Sequence, residues 1–323
     1  MPFTAKPFAI VRDGAADALY GAVVAMGNFD GVHRGHRAVI DAALRRAASL
    51  GRKAAALTFT PHPRQFFQPQ VPLFKLTSER DKLRLLAGSA LDGAVILRFD
   101  AALAATSAQE FIECILVGRL GIAGAAIGFD FHFGKDRQGS PAYLAGQGER
   151  LGFAVDIVPP LEDEGRPVSS GAVREALVAG KVVEATELLG APWFVSGPVI
   201  HGEKRGRDLG FPTANVRPDP SCALKHGIYA VRVAVEGRLM DGVASFGRRP
   251  MFDNGAPLLE VFLFDFSGDL YGKTMDVAFI GWIRGEEKFA SIELLQRQMD
   301  DDAAQAKAVL ARAPGAFPAL GAI

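Results

Sequence analysis

Cysteine is nearly absent from this chain of 323 residues, which contains only Cys114 and Cys222. Two cysteines cannot form a disulfide framework or supply a four-ligand zinc site. Both stand in apolar surroundings, in the segments FIECILV and SCAL. We therefore expect two inert thiols in or near the core.

An excess of either charge is also missing. Lysine and arginine number 36, aspartate and glutamate also number 36, and no run of basic residues exceeds two. A protein that binds nucleic acid needs a concentrated positive face, because contacts with the phosphate backbone supply much of the affinity. The sequence therefore disfavours a nucleic-acid partner.

Long apolar runs are the third absence. No apolar stretch approaches the roughly 18 residues that a membrane span requires, so no span is predicted. The N-terminal stretch MPFTAKPFAIVRDG lacks a long apolar core after its lysine, so it does not predict a signal peptide. We expect a cytoplasmic protein, and these patterns leave its oligomeric state open.

The length suits two domains, each with enough core to fold by itself, and we place the boundary between residues 1–186 and 187–323. In the first domain, short apolar runs alternate with helical segments, including a helix at 37–50. This alternation predicts a Rossmann-like parallel sheet that is covered on both faces. Its predicted strands are residues 21–27, 53–59, 93–99, 121–131 and 152–159.

The pattern of residue types changes after residue 190. Runs rich in β-branched and aromatic residues are punctuated by Gly, Asp and Pro, with no helical segment between them. That pattern predicts an antiparallel barrel or sandwich, closed by a final helix at 291–312. Proline and glycine interrupt the tail at 314–323, which we expect to be poorly ordered.

The segment GNFDGVHRGH, residues 27–36, follows a predicted strand and precedes a helix. Helix N-termini favour phosphate, because they present free N–H groups and the positive end of the helix dipole. Glycines in the segment allow the backbone to approach a triphosphate, and His33 and His36 could donate hydrogen bonds to its oxygens. The alternatives are a loop with two surface histidines, or a zinc site, which is weaker because no third ligand cluster is visible.

A second phosphate signature is GRDLGFPTANV, residues 206–216, which is not a Walker A loop. Its glycines and the preceding Gly202 allow close backbone approach, and Arg207 with its basic neighbours supplies charge. Thr213 and Asn215 project from the same side of an extended segment. Their hydroxyl and amide oxygens suit Mg²⁺, which keeps phosphate oxygens and waters as its other ligands. The alternative is a glycine-rich hairpin with solvated charges.

These segments resemble the bacterial bifunctional riboflavin kinase/FAD synthetase family, in which the H-x-G-H signature belongs to a nucleotidyltransferase-like α/β domain and G-R-x-L-G-F-P-T-A-N belongs to a β-barrel kinase domain. The resemblance covers about residues 15–312 in one unbroken order. Further matching segments are TFTPHP (58–63), GFDFHFGKDRQGS (128–140), VSSGAVREAL (168–177), FDFSGDLYG (264–272) and IRGEEKFASIELL (283–295).

The family resemblance implies that riboflavin is phosphorylated to FMN and that FMN is then adenylylated to FAD, with ATP as co-substrate and Mg²⁺ as cofactor. It implies that Glu260 is the general base of the kinase, and that Ser169, Ser170 and Arg174 close over the triphosphate. The implied catalytic residues are His33, His36, Arg174 and Glu260. The implied nucleotide contacts are Asn28, Phe29, Gly31, His33, His36, Asp130, Ser169, Ser170, Arg174, Gly202, Gly206, Arg207, Thr213 and Asn215.

Flavin contacts are implied at Phe59, His62, Arg284 and Phe289, although His62 fits a simple turn role equally well. The chain departs from the family pattern at Gly171, where Thr or Ser is more usual, at Ser245-Phe246, where Asn-Ile is commoner, and at Met251, where Thr is usual. Two alternatives stay open: a riboflavin kinase with an inactive adenylyltransferase domain, and a flavin-binding regulator with degenerate sites. The intact candidate residues argue against the regulator, because a protein that only binds flavin needs no base.

Overall fold

The structure is a computed structural model that describes residues 7–13, 18–163, 165–201, 211–248 and 256–323. The chain divides into two compact units. The first comprises Met1–Leu73, Thr77–Ser169 and Ala319–Ile323, and the second comprises Phe74–Leu76 and Ser170–Pro318. The domain boundary expected at residue 186 stays a prediction. Within the described ranges, every helix is too short or too polar to cross a lipid bilayer.

The first unit is built on a six-stranded sheet in which every strand pair is parallel. Its strands are β1 (Ala9–Arg12), β2 (Val23–Met26), β3 (Ala54–Thr60), β4 (Gly93–Arg98), β5 (Gly124–Gly128) and β6 (Ala154–Val158). The predicted parallel sheet is confirmed, and the edge strand β1 is an addition that the sequence pattern did not predict. Residues of β2 and β3 are almost completely buried, which agrees with a sheet covered on both faces.

The order of these strands in space is β1-β4-β3-β2-β5-β6. From β2 the chain winds outward through β3 and β4, and it then crosses back to continue through β5 and β6 on the other side of β2. The reversal leaves a crevice between the carboxyl ends of β2 and β5, which is where ligands bind on sheets of this kind. The segment GNFDGVHRGH starts directly after β2.

Helices connect the parallel strands. They are α1 (Arg34–Leu50), α2 (Pro63–Phe67), α3 (Glu79–Ala87), α4 (Ala101–Ala105), α5 (Ala108–Glu110), which a π-helix (Phe111–Arg119) continues, and α6 (Pro141–Leu151), preceded by a short 3₁₀ turn (Lys135–Arg137). A two-stranded ribbon, β7 (Glu162–Asp163) and β8 (Arg166–Pro167), follows β6. Helix α1 starts three residues before the predicted position, because the side chain of His33 caps its N-terminus.

The second unit contains a six-stranded sheet in which every strand pair is antiparallel. Its strands are β9 (Phe194–Pro198), β10 (Thr213–Val216), β11 (Gly227–Val235), β12 (Arg238–Arg248), β13 (Pro257–Leu263) and β14 (Thr274–Arg284), in the spatial order β10-β13-β12-β11-β14-β9. Just past β9, the N–H of Ile200 donates to the carbonyl of Asn215 at 2.8 Å. This bridge joins the two edge strands, so the sheet closes into the expected antiparallel barrel.

Helices flank the barrel: α7 (Ser170–Val178), α8 (Val182–Leu189) and the C-terminal α9 (Ile292–Ala311). The buried guanidinium of Arg232 on β11 donates to the carbonyl groups of Leu310 and Ala313 at the end of α9. The expectation of a poorly ordered tail is wrong for its last residues. Ala319–Ile323 belong to the first unit, where the N–H of Gly321 donates to the carbonyl of Arg84 at 2.9 Å.

Candidate functional site

The two histidines of the first signature form a stacked pair at the start of α1. Their ring centroids lie 3.6 Å apart with an angle of 22° between the planes, and the edge of Phe29 contacts His36 at 5.2 Å between centroids. Nδ1 of His33 accepts a hydrogen bond from the backbone N–H of His36 at 3.3 Å. Because Nδ1 is an acceptor, the proton of a neutral His33 ring lies on Nε2, which is therefore a donor.

Gly35 explains why glycine separates the two histidines. A Cβ atom at this position would lie 3.1 Å from the ring of His33 and 3.3 Å from the carbonyl oxygen of Val168. Both distances are shorter than ordinary van der Waals contact, so any side chain here would displace the imidazole or the backbone behind it. The glycine in H-x-G-H therefore keeps the first imidazole against the helix start.

The loop between β2 and α1 is held in an unusual conformation. Phe29 and Val32 have φ values of 51° and 46°, in the left-handed region that non-glycine residues rarely adopt. The carboxylate of buried Asp30 accepts hydrogen bonds from the N–H and the hydroxyl of Thr77, at 3.1 and 3.3 Å. The same hydroxyl accepts from the N–H of Gly31. Tertiary contacts therefore keep the loop in a conformation that its sequence alone would not favour.

Lys82 on α3 is a charged residue at this loop that the sequence interpretation missed. Its side chain is buried, with 8% relative exposure, and its Nζ lies 3.3 Å from the carbonyl oxygen of Asn28. The available signal was helical spacing, because Lys82 lies three and four residues before Leu85 and Leu86 on the buried face of α3. A lysine on such a face needs polar partners.

Other predicted residues of the first domain come to the same sheet edge. Phe59 lies at the end of β3 and contacts Phe99, which follows β4, at 6.0 Å between centroids. Phe66 and Phe67 extend this aromatic cluster, and Phe67 is 64% exposed. His62 caps the N-terminus of α2 by accepting from the N–H of Arg64. Asp130 lies in the exposed turn after β5, next to β2 in the sheet.

The predicted phosphate-closing residues lie around the start of α7. Ser169 precedes this helix, Ser170 is its first residue, and Gly171 lies exposed in its first turn. Arg174 lies one turn further on, where its Nε donates to the backbone carbonyl of Phe74 at 2.6 Å within the second unit. This bond holds Nε of the guanidinium group on a backbone oxygen.

In the barrel, the structure brings Thr213, Asn215 and Glu260 onto one face. Asn215 on β10 and Glu260 on β13 are direct partners across the antiparallel pair, and Thr213 lies two residues from Asn215 on the same side. The alternate residues Ala214 and Val261 are buried in the barrel core, so the three polar residues lie on the opposite face.

Glu260 has a second neighbour on its other side. Ser245 of β12 is its register partner, so the family departure at this position lies directly beside the candidate base. Glu260 is half-buried, while Asn215 is only 5% exposed. The ring of Phe211 contacts Phe262, the neighbour of Glu260 on this face, at 4.8 Å between centroids.

Part of the second signature lies outside the described residues. The predicted phosphate contacts there are Gly202, Gly206 and Arg207, and the departure at Met251 also lies outside those ranges. The predicted flavin contacts Arg284 and Phe289 do come together, with the guanidinium carbon 5.6 Å from the centroid of the ring.

Arg284 is held by an acidic partner. Its guanidinium forms a bidentate ion pair with buried Asp302 of α9, in which Nε donates to Oδ1 at 2.8 Å and Nη2 donates to Oδ2 at 2.7 Å. The ion pair raises the pKa of Arg284, chiefly through these hydrogen bonds. The structure therefore gives Arg284 a role in fastening α9 to the barrel, whatever it contributes to a flavin site.

The donor set on the barrel fits a magnesium ion. A hydroxyl oxygen and an amide oxygen, with a carboxylate opposite, are hard ligands suited to Mg²⁺ when phosphate oxygens complete its shell. Within the described ranges, no group of three or more His, Cys, Asp or Glu residues is placed to hold a metal ion. The fit therefore depends on a nucleotide that brings its own phosphate ligands.

Comparison with known proteins matches both parts of the chain. The family model described as FAD synthetase matches residues 16–172, and the model described as riboflavin kinase matches residues 189–310. A bifunctional riboflavin kinase/FMN adenylyltransferase of Pseudomonas fluorescens is 40% identical over 292 residues, which cover 90% of this chain and 94% of the relative. The enzyme of that name from Escherichia coli K12 is 38% identical over 283 residues, 87% of this chain and 90% of the relative.

A solved structure also matches along nearly the whole length. It is a crystal structure from Streptococcus pneumoniae described as a macrolide-efflux protein, with a TM-score of 0.83 and 30% sequence identity. The match covers 95% of this chain and 99% of that one. Both family models, the named relatives and the two sites lead to one assignment: the chain belongs to the bifunctional riboflavin kinase/FMN adenylyltransferase family.

Proposed function

We propose that this protein makes flavin cofactors in two ATP-dependent steps, phosphorylation of riboflavin to FMN and adenylylation of FMN to FAD. The observation that carries the proposal is that one chain holds two phosphate-site geometries of different kinds. One is the capped histidine pair where the parallel sheet reverses its strand order, and the other is the Asn215–Glu260 pair on the barrel. The family models of both enzymes fall on these same two regions.

In the kinase step, Glu260 acts as the general base. Its carboxylate takes the proton from the 5′-hydroxyl of riboflavin while that oxygen attacks the γ-phosphorus of ATP, and the bond from this phosphorus to the bridging oxygen of ADP breaks. A half-buried carboxylate in register with the neutral side chains of Asn215 and Ser245 suits this role. FMN and ADP are the products.

Thr213 and Asn215 would hold Mg²⁺ together with the phosphates of ATP. The bound ion would offset the negative charge of those phosphate oxygens. The two side chains contribute by orientation, because β-strand alternation fixes both on the face that carries the base. Gly202, Gly206 and Arg207 complete this nucleotide site in our proposal.

In the adenylyl-transfer step, a phosphate oxygen of FMN attacks the α-phosphorus of ATP, and the bond between the α-phosphorus and the departing pyrophosphate oxygen breaks. No covalent enzyme intermediate is needed, so catalysis consists of positioning and electrostatic stabilisation. We assign hydrogen-bond donation to His33 and His36, charge neutralisation to Arg174 with Ser169 and Ser170, and nucleotide contacts to Asn28, Phe29, Gly31 and Asp130.

The flavin ring of FMN would lie against the aromatic cluster beside Phe59. The ring of Phe99 contacts those of Phe59, Phe66 and Phe67 near the carboxyl ends of β3 and β4, and Phe67 is largely exposed. An exposed aromatic side chain suits a flat conjugated ring, which can stack on its face or meet its edge. His62 lies beside this cluster at the start of α2, and Arg284 and Phe289 are the corresponding candidates on the kinase side.

The decisive experiment is a time course of riboflavin, ATP and Mg²⁺ with purified protein, in which FMN and FAD are separated by chromatography. We expect FMN to appear first and FAD to follow, with release of pyrophosphate. FMN that accumulates without FAD would support a kinase with an inactive first domain, and Gly171 would be the first position to restore to Thr. Untouched riboflavin would contradict the flavin assignment.

A further inference from the structure

The ammonium group of Lys82 has one oxygen partner for each of its three N–H donors. Its Nζ has three oxygen partners: the hydroxyl of Thr58 at 3.0 Å, the carbonyl of Asn28 at 3.3 Å and the carbonyl of Phe59 at 3.4 Å. An ammonium group has three N–H donors and no acceptor. The hydroxyl of Thr58 in turn donates to the carbonyl of Asn28 at 3.2 Å, so Lys82 and Thr58 converge on one backbone oxygen.

That oxygen belongs to the loop that carries the histidine pair. Asn28 comes directly before Phe29, whose backbone is in the left-handed region, and five residues before His33 at the start of α1. The next carboxylate, Asp30, is fixed by Thr77. The loop is therefore held at two points by a single short segment, Thr77 to Lys82, and both points lie within the first unit.

We propose that Lys82 is a positioning residue of the adenylyl-transfer site, which holds the carbonyl of Asn28 and so keeps the β2–α1 loop in the conformation that presents His33 and His36. This inference rests on the proposed function of that site. Lys82 acts through the backbone, because its amine is occupied by Asn28, Thr58 and Phe59 and does not need to touch the nucleotide.

The charged surroundings of Lys82 make its action depend on pH. The charged groups that face it are Asp30 from the loop and Glu79 from the first turn of α3, and Glu79 is itself paired with Arg12 of β1. From β3 it meets only neutral oxygens. Burial lowers the pKa of Lys82 from its ordinary value of 10.5 to about 8, although the two carboxylates oppose this shift.

A rise in pH should affect FAD formation and folding stability in opposite directions, which distinguishes a positioning role of Lys82 from a role in stability. Between pH about 8 and 10.5 the unfolded chain binds a proton at this lysine that the folded chain does not, so the contribution of this group to stability rises with pH in that range. A neutral amine, however, has only two N–H donors for its three oxygen acceptors. It also lacks the positive charge that strengthens these hydrogen bonds. FAD formation should therefore decline above pH about 8 without a parallel loss of stability from this group.

The test compares Lys82→Met, which keeps the length of the side chain and removes the amine, with Thr58→Val, which keeps its shape and removes the hydroxyl. Lys53→Met is the matched control, since Lys53 lies just before β3, at its opposite end, with an exposed side chain. FMN formation from riboflavin by the same preparations reports on the integrity of the chain. Rates and KM values for ATP and FMN are measured between pH about 6.5 and 9.5, together with thermal unfolding, in the range where a lysine shifted this far titrates.

We expect Lys82→Met to lower kcat/KM for ATP in FAD formation by about 10- to 100-fold, the range expected for a buried charged hydrogen-bond donor. Thr58→Val should give a smaller loss in the same direction, about 2- to 10-fold, since the ammonium group of Lys82 keeps its bond to the carbonyl of Asn28. FMN formation should be unchanged in Lys82→Met and Thr58→Val. The control Lys53→Met should leave both activities unchanged. The alkaline decline of FAD formation, relative to FMN formation at the same pH, should disappear in Lys82→Met.

The inference is overturned if Lys82→Met forms FAD as fast as the parent, or if its alkaline limb is the same as in the parent. If the loss of FAD formation only follows a fall in unfolding temperature, and the pH profile does not change, then Lys82 has a structural role alone and the inference is overturned. If Lys82→Met does not fold, the kinetics of Thr58→Val and the pH profile of the parent decide the question. A parent protein that forms no FAD at all would instead contradict the proposed function.

Discussion

Asn215 of β10 and Glu260 of β13 are direct partners in one antiparallel strand pair, on the face of the barrel that is turned away from its core. The register that pairs them also places Ser245 beside Glu260 on the other side. An amide, a carboxylate and a hydroxyl from three different strands therefore lie in one row. A single-residue slip of β13 would turn Glu260 into the apolar core and separate the proposed base from the proposed magnesium ligands Thr213 and Asn215.

Glu260→Gln should lower kinase turnover by at least ~10²-fold, because the amide keeps the shape but cannot accept the proton of the riboflavin hydroxyl. FMN production at saturating substrate measures this change. Asp265→Asn is the matched control, since Asp265 lies in the turn just after β13 with φ 51°, a conformation that asparagine tolerates well. Normal FMN production by Glu260→Gln would show that the base is another group.

His36→Ala should lower FAD formation by about 10²-fold, because it removes the imidazole that we propose as a donor to the phosphate chain, and with it the ring on which His33 stacks. FMN formation should be nearly intact, since its candidate residues belong to the second unit. Both activities are measured on the same preparation by chromatography. An equal loss of both would contradict the assignment of His36 to the adenylyl-transfer step alone.

Gly35→Ala should lower FAD formation by at least ~10-fold through geometry alone. The new methyl group meets the ring of His33 at 3.1 Å, and displacement of a catalytic group by a fraction of an ångström is costly. Gly146→Ala on α6 is the matched control, because its Cβ would meet nothing within 4 Å and alanine favours a helix. Equal FAD formation by Gly35→Ala and Gly146→Ala would argue against a required position for His33.

We expect the two cysteines to differ in reactivity, although the sequence pattern predicted that both are inert. Cys114 is exposed on the π-helix, whereas Cys222 is buried, and burial raises the pKa of the Cys222 thiol to about 11. Since the thiolate is the nucleophile, Cys222 is almost entirely unreactive at pH ~8 in the folded protein. Iodoacetamide followed by mass spectrometry should label Cys114 alone, and denaturation should expose the second site. Labelling of Cys222 in the native protein would contradict this account.

Arg232→Met should lower the free energy of unfolding of the second unit by about 2–4 kcal/mol. The substitution removes the buried guanidinium that donates to the carbonyls of Leu310 and Ala313, and it breaks the ion pair with Asp241. Urea unfolding followed by tryptophan fluorescence reports on this unit, because Trp193 and Trp282 both lie in it. The control Arg238→Met changes an exposed arginine and should lie within about 0.5 kcal/mol of the parent. Equal midpoints for both variants would contradict the capping role.

Local patterns predicted most of the architecture because they follow from periodicity. Five of the six strands of the parallel sheet lie within apolar runs that predict them, and the barrel strands lie between breaks at Gly, Asp and Pro. The edge strand β1 was missed, because four residues with half-exposed side chains carry little signal. The last residues of the tail were misjudged, since proline and glycine indicate a break in regular structure but not a lack of contacts.

The candidate site was predicted as a set of segments, and its internal contacts were not. Glycine and histidine spacing identified the loop before α1, yet its left-handed residues, the support of Asp30 by Thr77 and the burial of Lys82 depend on a segment some fifty residues away. Arg284 shows the converse. Its motif implied a flavin contact, and the structure places its guanidinium on Asp302.

The sequence by itself determined which residue types are available for phosphate chemistry and which elements carry them, because helix caps, glycine approach and strand alternation are local properties. Only the tertiary structure decided which of those residues meet. The carboxyl ends of β2 and β5 become neighbours through a chain crossover, and Asn215 meets Glu260 through a strand pairing between distant segments. Such contacts are selected by burial of the apolar faces behind them, and that free energy belongs to the whole fold and to no single segment.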